Sequence, residues 1–156
     1  METNTNGQRI APFLWFNGKT EEAVNFYTSI IKNSKIVSLQ RLGDNMATAT
    51  FILNGVEFMA LDGGPQFTFS PATSFFIKCS TQEEVDHLWE KLSEGGEKSR
   101  CGWLDDKFGV TWQIVPDALG QLLHTPNRVK SGNVMQAMLK MDKIIIADLQ
   151  AAYDKE

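Results

Sequence analysis

Apolar residues first crowd together at 10–16 (IAPFLWF), a run too short for a helix and apolar on both faces. This predicts a strand covered by a helix on one side and facing an interior on the other. Pro12 stands near its start, where a missing N–H is tolerated. The period then changes. Asn17-Gly18 turns the chain, and Ala23, Phe26, Tyr27, Ile30 and Ile31 take the i, i+3, i+4, i+7, i+8 spacing of an amphipathic helix. Thr20 is placed to cap it, with Glu21 and Glu22 in the first turn, where the helix dipole favours negative charge. Strands are predicted over 36–42, 47–53 and 56–62, the last two joined by Asn54-Gly55, a strong hairpin signal.

Residues 62–73 (DGGPQFTFSPAT) show no periodicity and are rich in Gly and Pro, so 63–73 reads as an inter-module linker or a lid. A strand over 74–79 follows. Ser80 and Glu83 have capping-box spacing, and Val85, Leu88, Trp89 and Leu92 form the buried stripe of a second helix, closed by Gly95-Gly96. Two shorter strands, 101–105 and 110–115, flank a turn at 106–109. After Pro116 the pattern becomes helical over 117–123, about 131–141 and about 146–153. The middle helix carries Val134, Met135, Met138, Leu139 and Met141, a stripe suited to sealing a core or a subunit contact.

The halves repeat. A slide of 62 positions lays Phe13-Leu14-Trp15 on Phe75-Phe76-Ile77, Glu21-Glu22 on Glu83-Glu84 and Phe26-Tyr27 on Leu88-Trp89. Gly55-Val56 matches Gly109-Val110 at 54, so the second hairpin region is shorter by the difference, 62 − 54 = 8 residues. A unit that cannot bury its own apolar face implies two packed modules. The expected fold is therefore α+β. Two βαβββ-like modules (10–62 and 74–116) form a curved mixed sheet around a cavity, with helices over 117–156 and a disordered tail over 1–9.

Charge and composition remove several function classes. A net charge of −4 without a Lys/Arg cluster argues against a nucleic-acid surface. No apolar run approaches the ~20 residues of a membrane-spanning helix. The opening METNTNGQR lacks the apolar core of a signal peptide. Two cysteines, Cys79 and Cys101, are too few for a disulfide framework, which points to a reducing cytoplasm.

The doubled strand–helix–strands unit resembles the vicinal oxygen chelate superfamily, which includes glyoxalase I, extradiol dioxygenases and bleomycin-resistance proteins. The detailed resemblance is to its PhnB-like branch, through residues 17–27 (NGKTEEAVNFY), 102–116 (GWLDDKFGVTWQIVP) and 134–141 (VMQAMLKM). Such sequences often carry an Asp at the place of Ile145. Members of the branch are often labelled 3-demethylubiquinone-9 3-methyltransferase, and superfamily members usually dimerise, so a homodimer is implied. Methyl transfer would call for an alternating α/β domain with a glycine-rich turn. The glycine pairs here, Gly63-Gly64 and Gly95-Gly96, lie in a loop and after a helix.

Metal-dependent members of the superfamily present His, Gln or Glu from four strands. A divalent ion needs three or four converging donors with a position left open for substrate. Carried onto this chain, those positions fall on Ala11 or Pro12, Phe58 or Met59, Ser74 or Phe75, and Gln113. Only Gln113 is an oxygen donor of that kind, and Glu57 lies one pleat repeat, ~6.6 Å, from Met59. His87 sits off its helix's buried stripe and His124 at a helix end, with no ligand spacing between them. Cys101 follows Arg100, which points to the opposite strand face, so it reads as a packed thiol. Asp105-Asp106 reads as a turn.

What remains is aromatic. The expected pocket comprises Phe13, Trp15, Glu57, Met59, Phe75, Trp103, Trp112 and Gln113, with no metal, no cofactor and no assigned catalytic residue. It suits a small aromatic or apolar molecule. The alternatives are a divalent-metal lyase, isomerase or dioxygenase with Gln113 and Glu57 as ligands, and the methyltransferase of the branch's label.

Overall fold

The computed structural model describes residues 7–156, and the chain divides into two compact units between Thr68 and Phe69. Part of the tail expected over 1–9, residues 1–6, lies outside the described residues. Gln8 is tied down. Its side-chain amide donates to the carbonyls of Glu57 and Ile10 (both 3.0 Å), and its Oε1 accepts from Glu57 N at 2.9 Å.

The first unit holds β1 (Phe13–Phe16), α1 (Thr20–Ile30), β2 (Lys35–Gly43), β3 (Met46–Leu53) and β4 (Val56–Asp62), in the sheet order β1-β4-β3-β2. β1 runs parallel to β4, and the other pairs are antiparallel. Strict alternation along β3 buries Ala47, Ala49, Phe51 and Leu53 on the face that α1 covers with Ala23, Val24 and Tyr27. The cap of α1 differs from expectation. Thr20 is the first helical residue, and Lys19 in the cap position offers no side-chain bond. Asp62, at the end of β4, closes the helix instead. Its Oδ1 accepts from Lys19 N (2.8 Å), Thr20 N (3.0 Å) and Thr20 Oγ1 (2.9 Å), while Oδ2 accepts from Ala47 N (3.0 Å).

The second unit repeats the order as β5-β8-β7-β6, built from β5 (Ser74–Cys79), α2 (Gln82–Leu92), β6 (Glu97–Lys98), β7 (Trp103–Asp105) and β8 (Thr111–Pro116). Both ends of α2 lie 62 positions beyond those of α1. The shortened hairpin leaves β6 with two residues where β2 has nine. The cap of α2 falls one residue later than the predicted box: Thr81 accepts from Glu84 N (3.2 Å), and Glu84 accepts from Ser80 N (3.3 Å).

Three helices complete this unit: α3 (Asp117–Leu123), α4 (Arg128–Met138) and α5 (Ile146–Asp154). α4 starts earlier than its apolar stripe suggests because Asn127 caps it, accepting from Val129 N and Lys130 N at 3.1 Å. Ile145 supplies no cap to α5. Gln82 of α2 does so from outside, accepting from Ile146 N at 2.8 Å while donating to Ile144 O at 3.0 Å. Val115, Leu119, Val134, Ile144 and Leu149 form the core that holds the three helices to β8.

Candidate functional site

A sheet with a helix on one face leaves the other face for function, so strand parity decides which side chains reach it. In the first unit the pairs Phe13↔Met59 and Ile52↔Glu57 put Phe13, Trp15, Glu57 and Met59 together on the face opposite α1. Phe13 is 53% exposed. Trp15 is half-buried under the start of the loop after β4. Its indole N–H donates to Gly64 O at 3.0 Å, Phe67 meets it edge-on at 5.2 Å, and Gly63 lies against the ring so closely that a β-carbon would collide with it.

In the second unit the same face is laid out in cross-strand rows. Ser74, Thr111 and Asp105 form a polar row, with Thr111 Oγ1 donating to Asp105 at 2.6 Å. Phe76, Gln113 and Trp103 form the next, followed by Lys78 and Val115. Gln113 donates its amide to Ser74 Oγ at 2.9 Å, which leaves its carbonyl oxygen outward. Beside the second and third rows, α3 and α4 raise a wall carrying Leu119, Leu123 and Met138. Floor and wall enclose a cleft of about 580 Å³. Asp117, His124 and the Cys101 thiol also line it. His124 caps the end of α3 through Nδ1 to Gly120 O at 2.7 Å, and Cys101 Sγ rests 3.5 Å from Met138 O.

Two residues expected in the pocket, Phe75 and Trp112, stand on the opposite, helix-covered face. They pack on each other at 5.4 Å, and Trp112 is 2% exposed, its indole N–H donating to Asp106 Oδ2 at 2.9 Å. The cause is a one-residue difference. Three residues separate β1 from α1 but only two separate β5 from α2. The helices therefore superpose at a slide of 62 while the strands superpose at 63: Leu14↔Ala60 corresponds to Ile77↔Ile114. A one-residue slip turns every side chain over, so Phe76 occupies the place expected of Phe75. The shorter connection was the signal for it. Lys78 and the α3 wall gave no signal of their own.

The donor set does not fit a catalytic metal ion. Pro12 and Met59 bring no charged or nitrogen donor, Phe75 faces the core, the first unit offers Glu57 alone, and the second offers Gln113 and the Ser74 hydroxyl, which are bonded to each other. Among the described residues no three His, Cys, Asp or Glu side chains converge. Among the described residues no helix is long and apolar enough to cross a membrane.

The family model described as 3-demethylubiquinone-9 3-methyltransferase matches residues 8–115. The structure of a putative 3-demethylubiquinone-9 3-methyltransferase, PhnB protein, from Bacillus cereus is 41% identical, with a TM-score of 0.67, covering 70% of this chain and 99% of that one. Protein PA1353 from Pseudomonas aeruginosa follows at 22% identity and TM-score 0.59, over 70% of this chain and 97% of the other. The fosfomycin resistance protein FosX from Listeria monocytogenes, in its monoclinic form, shares the fold at 16% identity and TM-score 0.52, over 77% and 99%. No curated protein matches the chain. The matched residues stop within β8, so α3, α4 and α5 lie beyond them.

Proposed function

Since this chain belongs to the 3-demethylubiquinone-9 3-methyltransferase-like, PhnB-like family of the vicinal oxygen chelate superfamily, we propose that it binds a small aromatic or apolar molecule without a resident metal. The site is the cleft of the second unit. One observation carries the reading: a cleft of about 580 Å³, floored by Phe76, Trp103 and Gln113 and walled by α3. Pockets of ~300–1,000 Å³ with apolar walls and a few polar groups are the usual hosts of such molecules. Sequestration or carriage requires no nucleophile, and Cys101, the one thiol lining the cleft, is engaged with Met138 O.

Thermal-shift measurement on the full chain tests this. Ligands that bind only the folded state stabilise it, by ~2.7 kcal/mol at a hundredfold excess over Kd. Flat aromatic compounds should raise Tm, and Trp103→Ala should abolish the rise. Stabilisation by S-adenosylmethionine instead would favour methyl transfer. Metal analysis of untagged protein, purified without chelator, should find less than one equivalent; a stoichiometric divalent ion would favour the metal-enzyme reading. The proposal extends to a cytoplasmic homodimer. Cys79 and Cys101, which form no disulfide, support the compartment, and the exposed Val129 and Met135 of α4 with Leu139 just after it support the assembly.

A further inference from the structure

The polar groups around the cleft are unequally used by the fold. Trp15 and Trp112 spend their indole N–H groups on Gly64 O and Asp106. Among the described residues the indole N–H of Trp103 has no protein partner, although a tryptophan that is partly buried usually finds one. The Lys78 ammonium, one row along on the same sheet face, makes no ion pair or hydrogen bond among the described residues, whereas Lys19, Lys98 and Lys143 each hold a carboxylate. His124 donates its Nδ1–H to Gly120 O and is spent on the end of α3. The acceptors at the cleft are Asp117 and Gln113. Asp117 is accounted for by its place in the first turn of α3, where the dipole favours a carboxylate, and the Gln113 carbonyl is the other.

Resting on the binding role proposed above, we infer that the cleft selects molecules whose flat apolar part carries one anionic oxygen group, a carboxylate or phenolate. The ring lies over Phe76 and Trp103. The oxygen meets the Lys78 ammonium and the Trp103 N–H. Leu119, Leu123 and Met138 dry the wall behind it, so the charge pair is less screened than on open surface. The Gln113 carbonyl stands at the other side of the ring, where it repels a second anionic group. Lys78 and Trp103, which read the charge, lie within the residues matched by the family model, and the α3 and α4 wall that dries the cleft lies beyond them.

Calorimetric titration of the full chain decides it, with benzoate, 2-naphthoate and indole-3-acetate each run beside its uncharged amide. A hydrogen-bonded charge pair predicts that at least one acid binds about tenfold tighter than its amide. Lys78→Met should erase that preference, bringing each acid to the affinity of its amide, and Trp103→Ala should weaken acid and amide alike. Acid and amide binding equally, with loss of both in Trp103→Ala, overturns the anion selectivity and leaves the binding role standing. An acid preference that survives Lys78→Met overturns it as well. Binding of neither series overturns both.

Discussion

Two aspartates show how single side chains hold strand ends in place. Asp106 is 3% exposed, with Oδ1 accepting from Phe108 N (2.8 Å) and Val110 N (3.0 Å) and Oδ2 from the Trp112 indole. Removing it strands buried donors, so Asp106→Ala should cost about 3 kcal/mol in urea unfolding. Asp62→Ala should cost about 2 kcal/mol by the same measurement, since an N-terminal cap and a strand donor go together. The turn role of Asp106 was legible from its position between two strand patterns. That of Asp62 was not, because it depends on β4 lying beside β1 in register. An exposed pair sets a pH effect. The Arg41 guanidinium, bonded to Glu21, holds that carboxyl below its ordinary 4.5. A lowered acid pKa contributes stability that is fully present above the unfolded value and lost as pH falls through the folded one. Glu21→Gln should therefore lower stability slightly at neutrality and flatten the curve below about pH 4.5, where variant and parent converge, as acid-titrated unfolding would register.

At the level of elements, the existence of most strands and helices was legible, and their caps were not. Periodicity marks where a helix buries itself but cannot see a cap contributed by another element. Gln82 is the clearest case, a residue in the first turn of α2 that satisfies the N-terminus of α5 sixty-four positions away. Gln82→Ala should cost about 1 kcal/mol and speed amide exchange at Ile146 more than within α2. β6 escaped notice because two residues cannot show alternation. The pocket residues reveal a subtler limit. Apolar strands flanked by helices read much alike on both faces, so sequence alternation separates Phe75 from Phe76 without saying which one the helix covers. Adjacent residues such as Trp112 and Gln113 cannot both face one side, and only the register places Gln113 at the cleft.

Over the whole molecule, the doubled unit was the most legible feature, since both halves of the chain independently specify the same strand order. The cleft was the least, because it needs the helices beyond residue 116 folded back beside a sheet face, a placement that no local pattern carries. The first unit's counterpart face takes a different cover, the loop from Gly63 to Phe67 seated on Trp15. Gly63→Val should displace that seat and raise the fluorescence accessibility of Trp15 to quencher, with little effect on the α3 cleft. Light scattering should return twice the chain mass for the proposed dimer, and Leu139→Glu, at the exposed residue that closes α4, should lower it.

The position that Asp62 occupies in the first copy is held by Pro116 in the second, 54 residues on. A proline side chain offers no acceptor, so α2 carries a latch of its own at Thr81. β8 is spared that clasp, and its last residue serves as the lead-in to α3, so the helices that wall the cleft hang from a strand end that the other unit uses as a bolt.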